Sequence, residues 1–312
     1  MTEILLTIAI PTFNGSKTIV QTLDSVFRQI HSDIDPKIEF IISDNASTDG
    51  TASVIASLDP AKSKRVKYFL NQSNVGFDRN IALLFERAEG KYVLTLADDD
   101  YLEVGALDEI ISFLKLNPQV DAYFIGGAAR PVKDKNLICK DGNEFFSTTG
   151  FRNGGVSSNI IKRAAWSGIK VEKHFGCEWI HFAVLIDILE TGYSAIASSQ
   201  YVYEIPLLEK RWGSNGRFIV VGLKLAEIFR GMNSAVYTQA VRRMALDTIH
   251  DFLYFKKIIR AKSEGFVVDI QTLKTFISLF KYYPAFWMLD LPSLMLPAFI
   301  CQKLSRVRMC LR

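Results

Sequence analysis

Between residues 5 and 125, short apolar runs alternate with amphipathic segments, the order that β-α-β units around a buried parallel sheet leave in a sequence. Strands are predicted over Leu5–Ile10, Ile38–Ser43, Val66–Leu70, Tyr92–Leu96 and Ala122–Ile125. Between them, Ile19, Leu23, Val26, Phe27 and Ile30 form one helical stripe. Ile81, Leu84, Phe85 and Ala88 form a second, and Leu107, Ile110, Ile111 and Leu114 a third. Asp49 ahead of Thr51–Leu58 marks a helix start, and Gly90 marks a helix stop. The pattern predicts an α/β fold with a mostly parallel central sheet.

Beyond Gly126 the alternation dissolves. Residues 126 to about 159 are rich in Gly, Lys, Asp and Ser, with β-like pieces at Leu137-Ile138 and Phe145-Phe146, and read as loops or hairpins at a rim on the substrate side. Trp179–Leu189 reads as a largely buried helix and Tyr193–Pro206 as a further strand region. Helical spacing returns after Arg217 and runs with interruptions through Phe255. The expected organisation is a first half-domain over 1–125, a second over 126–216 and a helical extension over 217–312.

Ligands of open α/β sheets bind beyond the carboxyl ends of the strands, so the residues after each strand carry the functional signal. The first strand runs into Pro11, Thr12, Phe13 and Asn14, and the second into Asp44 through Gly50. The third leads to Asn71–Gly76, followed by Arg79, and the fourth to Asp98, Asp99 and Asp100. Three adjacent carboxylates repel one another and persist where a cation compensates them. Mg2+ or Mn2+ takes one or two protein carboxylates and fills its remaining positions with phosphate oxygens and water, which implies a phosphorylated ligand. The plainer reading is a solvated acidic turn ahead of a helix that starts near Gly105. No Walker-type and no dinucleotide-binding glycine motif follows any strand, so a phosphate would be held mainly through metal. Phe13 is suited to stacking on a base and Asp44 to accepting from a base N–H. Arg79 is suited to approaching base, ribose or phosphate. As core residue, turn former and solvated helix residue, these three also have ordinary structural readings.

Taken together, Thr7–Asn14, Asp44–Thr51, Asn74–Asn80 and Leu96–Asp100 resemble glycosyltransferase family 2, in that family's order and spacing. The resemblance is strong over the first 125 residues and weak over the next 90. It implies a GT-A type, Rossmann-like nucleotide-diphospho-sugar transferase fold, and inverting transfer from a nucleotide-diphospho-sugar donor to a hydroxyl of a glycan or lipid-linked saccharide acceptor. By position, Pro11, Thr12, Phe13, Asn14, Asp44, Asn74, Gly76, Arg79 and Asp98 correspond to nucleotide-sugar-binding residues, and Asp99 or Asp100 to metal ligands. Ala97 stands where the family commonly has an acid. Glu178, in Gly176-Cys177-Glu178-Trp179, corresponds to the general base, a carboxylate that would take the acceptor's proton while the metal stabilises the departing diphosphate. The plainer reading is that it interacts with the N-terminus of the following helix, and nearby His181 reads as a packed or acceptor-side residue. Arg211, beside Trp212, corresponds to a residue closing over the diphosphate. Leu208 breaks the Q-x-x-R-W pattern of processive members, which predicts single addition. Bacterial polysaccharide synthesis of the O-antigen or capsule kind is the implied setting. Competing readings are a metal-dependent phosphoryl or nucleotidyl transferase, and a sugar-nucleotide-binding protein without catalysis.

Charge places the tail. Six of the 37 basic residues and one of the 33 acidic ones lie in 273–312, so the tail carries +5 and the remainder −1, a balance that argues against nucleic acid as a partner. Residues 282–301 are nearly all apolar or aromatic, with Asp290 the sole charge and three prolines interrupting. They predict broken, interfacial or docked helices, and residues 276–312 are the expected peripheral contact with the inner face of an anionic membrane. The four cysteines form neither a disulfide framework nor a zinc-binding spacing, and Ile4–Ile10 makes a poor signal peptide. The expected location is cytoplasmic. The motifs specify neither the donor sugar nor an oligomeric state.

Overall fold

The computed structural model describes residues 3–32, 37–126, 137–197, 203–204 and 216–309. Two compact units divide the chain, residues 1–206 and 207–312.

The described residues of the first unit form ten strands: β1 (Leu6–Thr12), β2 (Ile38–Asp44), β3 (Val66–Leu70), β4 (Tyr92–Thr95), β5 (Tyr101–Leu102), β6 (Ala122–Phe124), β7 (Leu137–Cys139), β8 (Asn159–Lys162), β9 (Ala195–Ala197) and β10 (Tyr203–Glu204). Its helices are α1 (Ile19–Phe27), α2 (Thr51–Ala56), α3 (Pro60–Ser63), α4 (Phe77–Arg87), α5 (Ala106–Leu116), α6 (Gly142–Thr149), α7 (Arg163–Ser167) and α8 (Ile180–Glu190). Eight strands form one sheet in the order β3-β2-β1-β4-β8-β6-β9-β7, and β10 pairs antiparallel with β5. β3, β2, β1 and β4 are mutually parallel, as is the β6-β9 pair. β8 runs antiparallel to both β4 and β6, and β7 antiparallel to β9. The expected mostly parallel α/β sheet is present.

Every residue of β1 and β2 is buried, which is why both read as unbroken apolar runs instead of alternating ones. Glu39, the acid inside β2, accepts from Thr7 Oγ1 at 2.6 Å, Lys67 Nζ at 2.7 Å and the Glu89 N–H at 2.8 Å. Burial alone would raise its pKa, but these donors prevail and hold it below the usual carboxylate range. Ile19, Leu23 and Val26 of α1, with Leu107, Ile110, Ile111 and Leu114 of α5, close one core over Leu6, Ile8, Ile10, Phe40 and Leu94. α8 is buried on nearly all sides, as its sequence predicts.

Three local expectations are corrected. Phe145 and Phe146 lie in helix α6, not in a β-like piece: the Asp141 side chain caps it by accepting the Glu144 N–H at 2.9 Å, and Gly150 ends it in a left-handed conformation. α4 stops at Arg87, before Gly90. Gly90 answers a different need, because a Cβ there would lie 2.6 Å from Thr7 N and 2.9 Å from Leu6 C of the central strand. The residue flanking α2 is Gly50, in left-handed conformation, while Asp49 caps from one position earlier.

The second unit contains α9 (Arg217–Arg230), α10 (Gln239–Leu253), α11 (Phe255–Ser263), α12 (Ile270–Phe280), a π-helical turn over Phe286–Asp290, α13 (Leu291–Met295) and α14 (Ala298–Met309). Asp290 is buried and meets His250 Nε2 at 2.8 Å, which accounts for a lone carboxylate within an apolar stretch. His250 stacks on Tyr283, whose hydroxyl donates to Asp247 at 2.7 Å. Among the described residues no helix is long and apolar enough to cross a membrane.

Candidate active site

In the strand order β3-β2-β1-β4 the chain leaves β1 in one direction to β2 and β3, and returns on its other side at β4. That reversal opens a crevice beyond the carboxyl ends of β1 and β4. Thr12 ends β1 and Asp98 follows β4, and across the crevice Thr12 Oγ1 donates to Asp98 Oδ2 at 2.5 Å. Gly15 lies against this pair so closely that a Cβ would be 3.2 Å from Asp98 Cγ and nearer still to both hydrogen-bonded oxygens.

The loop after β1 is clipped to the loop after β2. Asn14, at φ 60°, donates its N–H to Ser47 Oγ at 2.8 Å and accepts the Thr48 N–H on its amide oxygen at 2.9 Å. Gly15 N–H donates to Thr51 Oγ1 at 3.0 Å and Ser16 N–H to Asp49 Oδ2 at 3.0 Å. Burial alone would raise the Asp49 pKa, but donors from Thr51 and Ser16 together prevail and hold its carboxyl well below the usual range. Pro11 is buried beneath the loop, and Phe13 projects from it, 49% exposed. The ring is thus no core residue and is accessible to a stacking partner.

Asp44 is fully buried at the end of β2. Its Oδ1 accepts the Ser47 N–H at 2.8 Å and its Oδ2 accepts the Tyr68 hydroxyl at 2.7 Å. Burial, with that carboxylate, holds the Tyr68 phenol above the usual tyrosine range. Its structural role is therefore larger than a turn, since it also anchors the third strand. The neighbouring Asn45 ties the second loop to the third by donating to Asn74 Oδ1 at 2.9 Å and accepting the Val75 N–H at 2.9 Å. Asn74 also accepts the Gly76 N–H at 2.9 Å, and Gly76, at φ 85°, leads into α4.

The three acids separate into different environments. Asp98 faces Thr12, while Asp100 is buried and accepts the Ser157 hydroxyl at 2.7 Å. Burial, assisted by Asp99 and Asp100 against the Thr12 hydrogen bond, pushes the Asp98 pKa up to about 6. Among the described residues no group of three or more His, Cys, Asp or Glu side chains converges on a metal position. The donors here are carboxylate oxygens on one short turn, a set that suits a hard divalent ion completing its shell with phosphate and water and does not suit a closed protein cage.

Glu178 lies two residues before α8, half-buried, in a left-handed conformation at φ 61°. Asp78, in the first turn of α4, holds that turn: its Oδ2 accepts the Gly176 N–H at 2.8 Å and the Glu178 N–H at 2.9 Å, and its Oδ1 accepts the Ile180 N–H at 3.2 Å. On either side, Phe77 packs edge-on against His181 and the exposed Arg79 lies over the Phe175 ring at 5.4 Å. His181 is buried and its Nε2 meets the Gly154 carbonyl at 2.8 Å, so that nitrogen carries the proton. Burial lowers its pKa and keeps it neutral. Gly154 belongs to the turns over 152–158, which also bind the end of β4 through Thr95 Oγ1 to the Val156 carbonyl and Ala97 N–H to Ser157 Oγ. The chain therefore brings together all the sequence-predicted residues except Arg211, which, like Trp212 and Leu208, lies outside the described residues.

Asp78, Asn45 and Ser157 were not among the predicted site residues. Asp78 is the sole acid between Asn74 and Asn80, yet an acid in a first helical turn is an ordinary dipole partner, and its real contacts are about 100 residues away. Nothing local in the sequence marks it.

A family model described as Glycosyl transferase family 2 matches residues 7–157. Among curated proteins, the chain is 27% identical over 209 residues to the abequosyltransferase RfbV of Salmonella typhimurium, covering 60% of this chain and 62% of that one. It is 36% identical over 167 residues to the GalNAc(5)-diNAcBac-PP-undecaprenol beta-1,3-glucosyltransferase of Campylobacter jejuni, covering 52% and 49%. The chain thus spans about half to three-fifths of the length of these relatives. Among solved structures it resembles Staphylococcus aureus TarS in complex with UDP, at TM-score 0.63 and 16% identity over 90% of this chain and 81% of that one. It also resembles the Pyrobaculum calidifontis mannosyltransferase PcManGT in complex with GDP-Man and Mn2+, at TM-score 0.55 and 16% identity over 95% and 86%. At that identity the likeness is one of fold.

Proposed function

Because residues 7–157 form a glycosyl transferase family 2 domain, we propose that the chain transfers a sugar, with inversion, from a nucleotide-diphospho-sugar to a hydroxyl of a glycan or lipid-linked saccharide in bacterial surface-polysaccharide synthesis. The observation that carries this reading is the convergence of four strand-end loops on the crevice between β1 and β4, with the Glu178 turn bound to the third of them through Asp78. In it Phe13 stacks on the base and Asp44, with Pro11, Thr12 and Asn14, forms the base and ribose side. Asn74, Gly76 and Arg79 close the nucleotide from the third loop, Asp98 orients the ribose, and Arg211 contacts the diphosphate. Asp99 and Asp100 hold Mg2+ or Mn2+, which when bound neutralises charge on the departing diphosphate. Glu178 accepts the proton of the attacking hydroxyl.

Thermal unfolding with UDP, GDP, CDP and dTDP, each with and without Mn2+, tests the donor side, since a ligand bound only by the native state raises the melting temperature. Stabilisation by one base, lost in Asp99→Ala, is expected; no stabilisation by any of them overturns the reading. Glu178→Gln is expected to keep the nucleotide response and lose turnover, and full turnover removes the base assignment.

On the acceptor side, the proposal places residues 276–312 against the cytoplasmic face of the membrane. Tyr282, Trp287, Met288, Met295 and Phe299 are exposed there, with Lys281 and Lys303 beside them. Flotation with phosphatidylglycerol vesicles, sensitive to salt and absent with phosphatidylcholine alone, is the expected result; no flotation with either removes this contact.

A further inference from the structure

The first turn of α4 does more than continue the nucleotide-side loop. Three consecutive residues, Phe77, Asp78 and Arg79, each grip the segment 175–181, through His181, three backbone N–H groups and Phe175 respectively. Asp78 is buried, and it accepts alternate amides, Gly176, Glu178 and Ile180, so the intervening backbone is wrapped around one carboxylate. Cys177 Sγ lies 3.8 Å from the same Oδ1 and accepts the Trp179 N–H at 3.2 Å, which tightens the wrap. Within it Glu178 is held at φ 61°, a left-handed conformation that is unfavourable for a residue with a Cβ unless its surroundings impose it.

We propose that Asp78 is a positioning residue for Glu178: it imposes the strained turn that aims the Glu178 carboxylate into the crevice. A carboxylate with three converging N–H donors supplies the compensation such a conformation requires, since hydrogen bonds to a carboxylate are shorter and stronger than those between neutral groups. Gly176 adopts its own positive φ freely, whereas Glu178, with a Cβ, does not. The arrangement also explains why an acid is needed in this helical turn when Arg79 and Asn80 follow directly: a neutral amide at position 78 would present an N–H to one of the amides it must receive. The inference rests on Glu178 being the base, and its test is chosen to separate the two.

Asp78→Asn keeps shape and one acceptor. Hydrogen exchange on the peptide spanning 174–181 is expected to accelerate at least tenfold, with the 71–76 peptide unchanged. Affinity for the stabilising nucleoside diphosphate with Mn2+ is expected to stay within twofold, while turnover, followed as hydrolysis of UDP-GlcNAc and GDP-mannose, falls at least tenfold at unchanged KM. If Asp78→Asn does not fold, Asp78→Ser, which retains an acceptor and admits water, takes its place. Unchanged exchange at 174–181 overturns the clamp. Accelerated exchange with wild-type turnover overturns its role in positioning, as does a loss of nucleotide affinity equal to the loss of turnover. Glu178→Gln, assayed alongside, identifies the other failure: if it turns over normally, the base reading has fallen whatever Asp78 does.

Discussion

Gly15→Ala tests whether the crevice has the geometry described. Gly15 does not adopt a positive φ, so alanine meets no backbone penalty and its entire effect comes from the added Cβ. That carbon would stand 3.2 Å from Asp98 Cγ and closer to Asp98 Oδ2 and Thr12 Oγ1, the two atoms already joined at 2.5 Å. One of them must move. Overpacking of a filled site costs about 1–3 kcal/mol. Breaking a hydrogen bond to a carboxylate costs about 1.5–3 kcal/mol, part of which is recovered as Asp98 turns towards water. A net loss of about 2–4 kcal/mol lowers the melting temperature by roughly 5–15 °C in a domain of this size. Gly76→Ala is the control for stability alone, with φ 85° and no atom within 4 Å of the new carbon. At ψ 162° it sits in an extended positive-φ region that is essentially restricted to glycine, so alanine bears a backbone penalty of about 1–3 kcal/mol and leaves Asp98 in place. The assay is paired thermal unfolding and nucleoside-diphosphate titration with Mn2+. Gly15→Ala is expected to lose stability and at least tenfold in affinity. A melting point within about 1 °C of wild type, with affinity intact, refutes the close approach of Gly15 to the Thr12–Asp98 pair, because overpacking at even 1 kcal/mol is larger than that.

Two further outcomes follow from groups beside the same strands. Gly90→Ala would press a Cβ to 2.6 Å from Thr7 N and Thr7 Oγ1, and also cost the Gly90 N–H bond to that hydroxyl. Because the obstacle is backbone of the central strand, a loss of about 3 kcal/mol is expected, read as a lower urea midpoint with unchanged slope. Asp98 carries a pH signature of known sign. Its folded pKa, raised to about 6, lies above its unfolded value, so its favourable contribution is complete below about pH 4 and is lost as pH rises through 6. Asp98→Asn, which retains an acceptor for Thr12, is therefore expected to stabilise the metal-free protein at pH 7–8 by up to about 3 kcal/mol, a gain that vanishes near pH 4 in melts across that range. Equal melting points at all pH values contradict the burial assigned to Asp98.

The strands that were legible are those whose environment writes a simple pattern. β1 and β2 are buried on both faces, and a seven-residue run such as Leu6–Thr12 has few other places to go in a folded chain. α1, α4 and α5 face the sheet on one side only and show it as apolar periodicity. α6 was misread for a different reason. Asp141 three residues before Glu144, with Gly150 beyond, is a helix frame present in the sequence, and the adjacent Phe145 and Phe146 outweighed it because paired aromatics favour strands. β8 is four residues long and joins the two halves of the sheet by pairing antiparallel with both β4 and β6, a placement decided by neighbours and not by its own composition.

The same division separates the parts of the site. A loop following a parallel strand can be assigned to the binding edge from connectivity alone, so Thr12, Asp44, Asn74 and Asp98 could be nominated together before any of their contacts were known. Connectivity does not say which of their atoms are already spent. Asp44 and Asp98 are both acids at the carboxyl ends of parallel strands, yet Asp44 is occupied by Ser47 and Tyr68, while Asp98 accepts from Thr12 and has two acids beside it. Glu178 is a further step removed. Its conformation follows from a carboxylate a hundred residues earlier, on a helix whose own pattern is fully explained by packing against β1 and β2. The base was legible only by resemblance, and the group that aims it only by structure, because a positioning residue satisfies every local rule where it stands and acts where it does not.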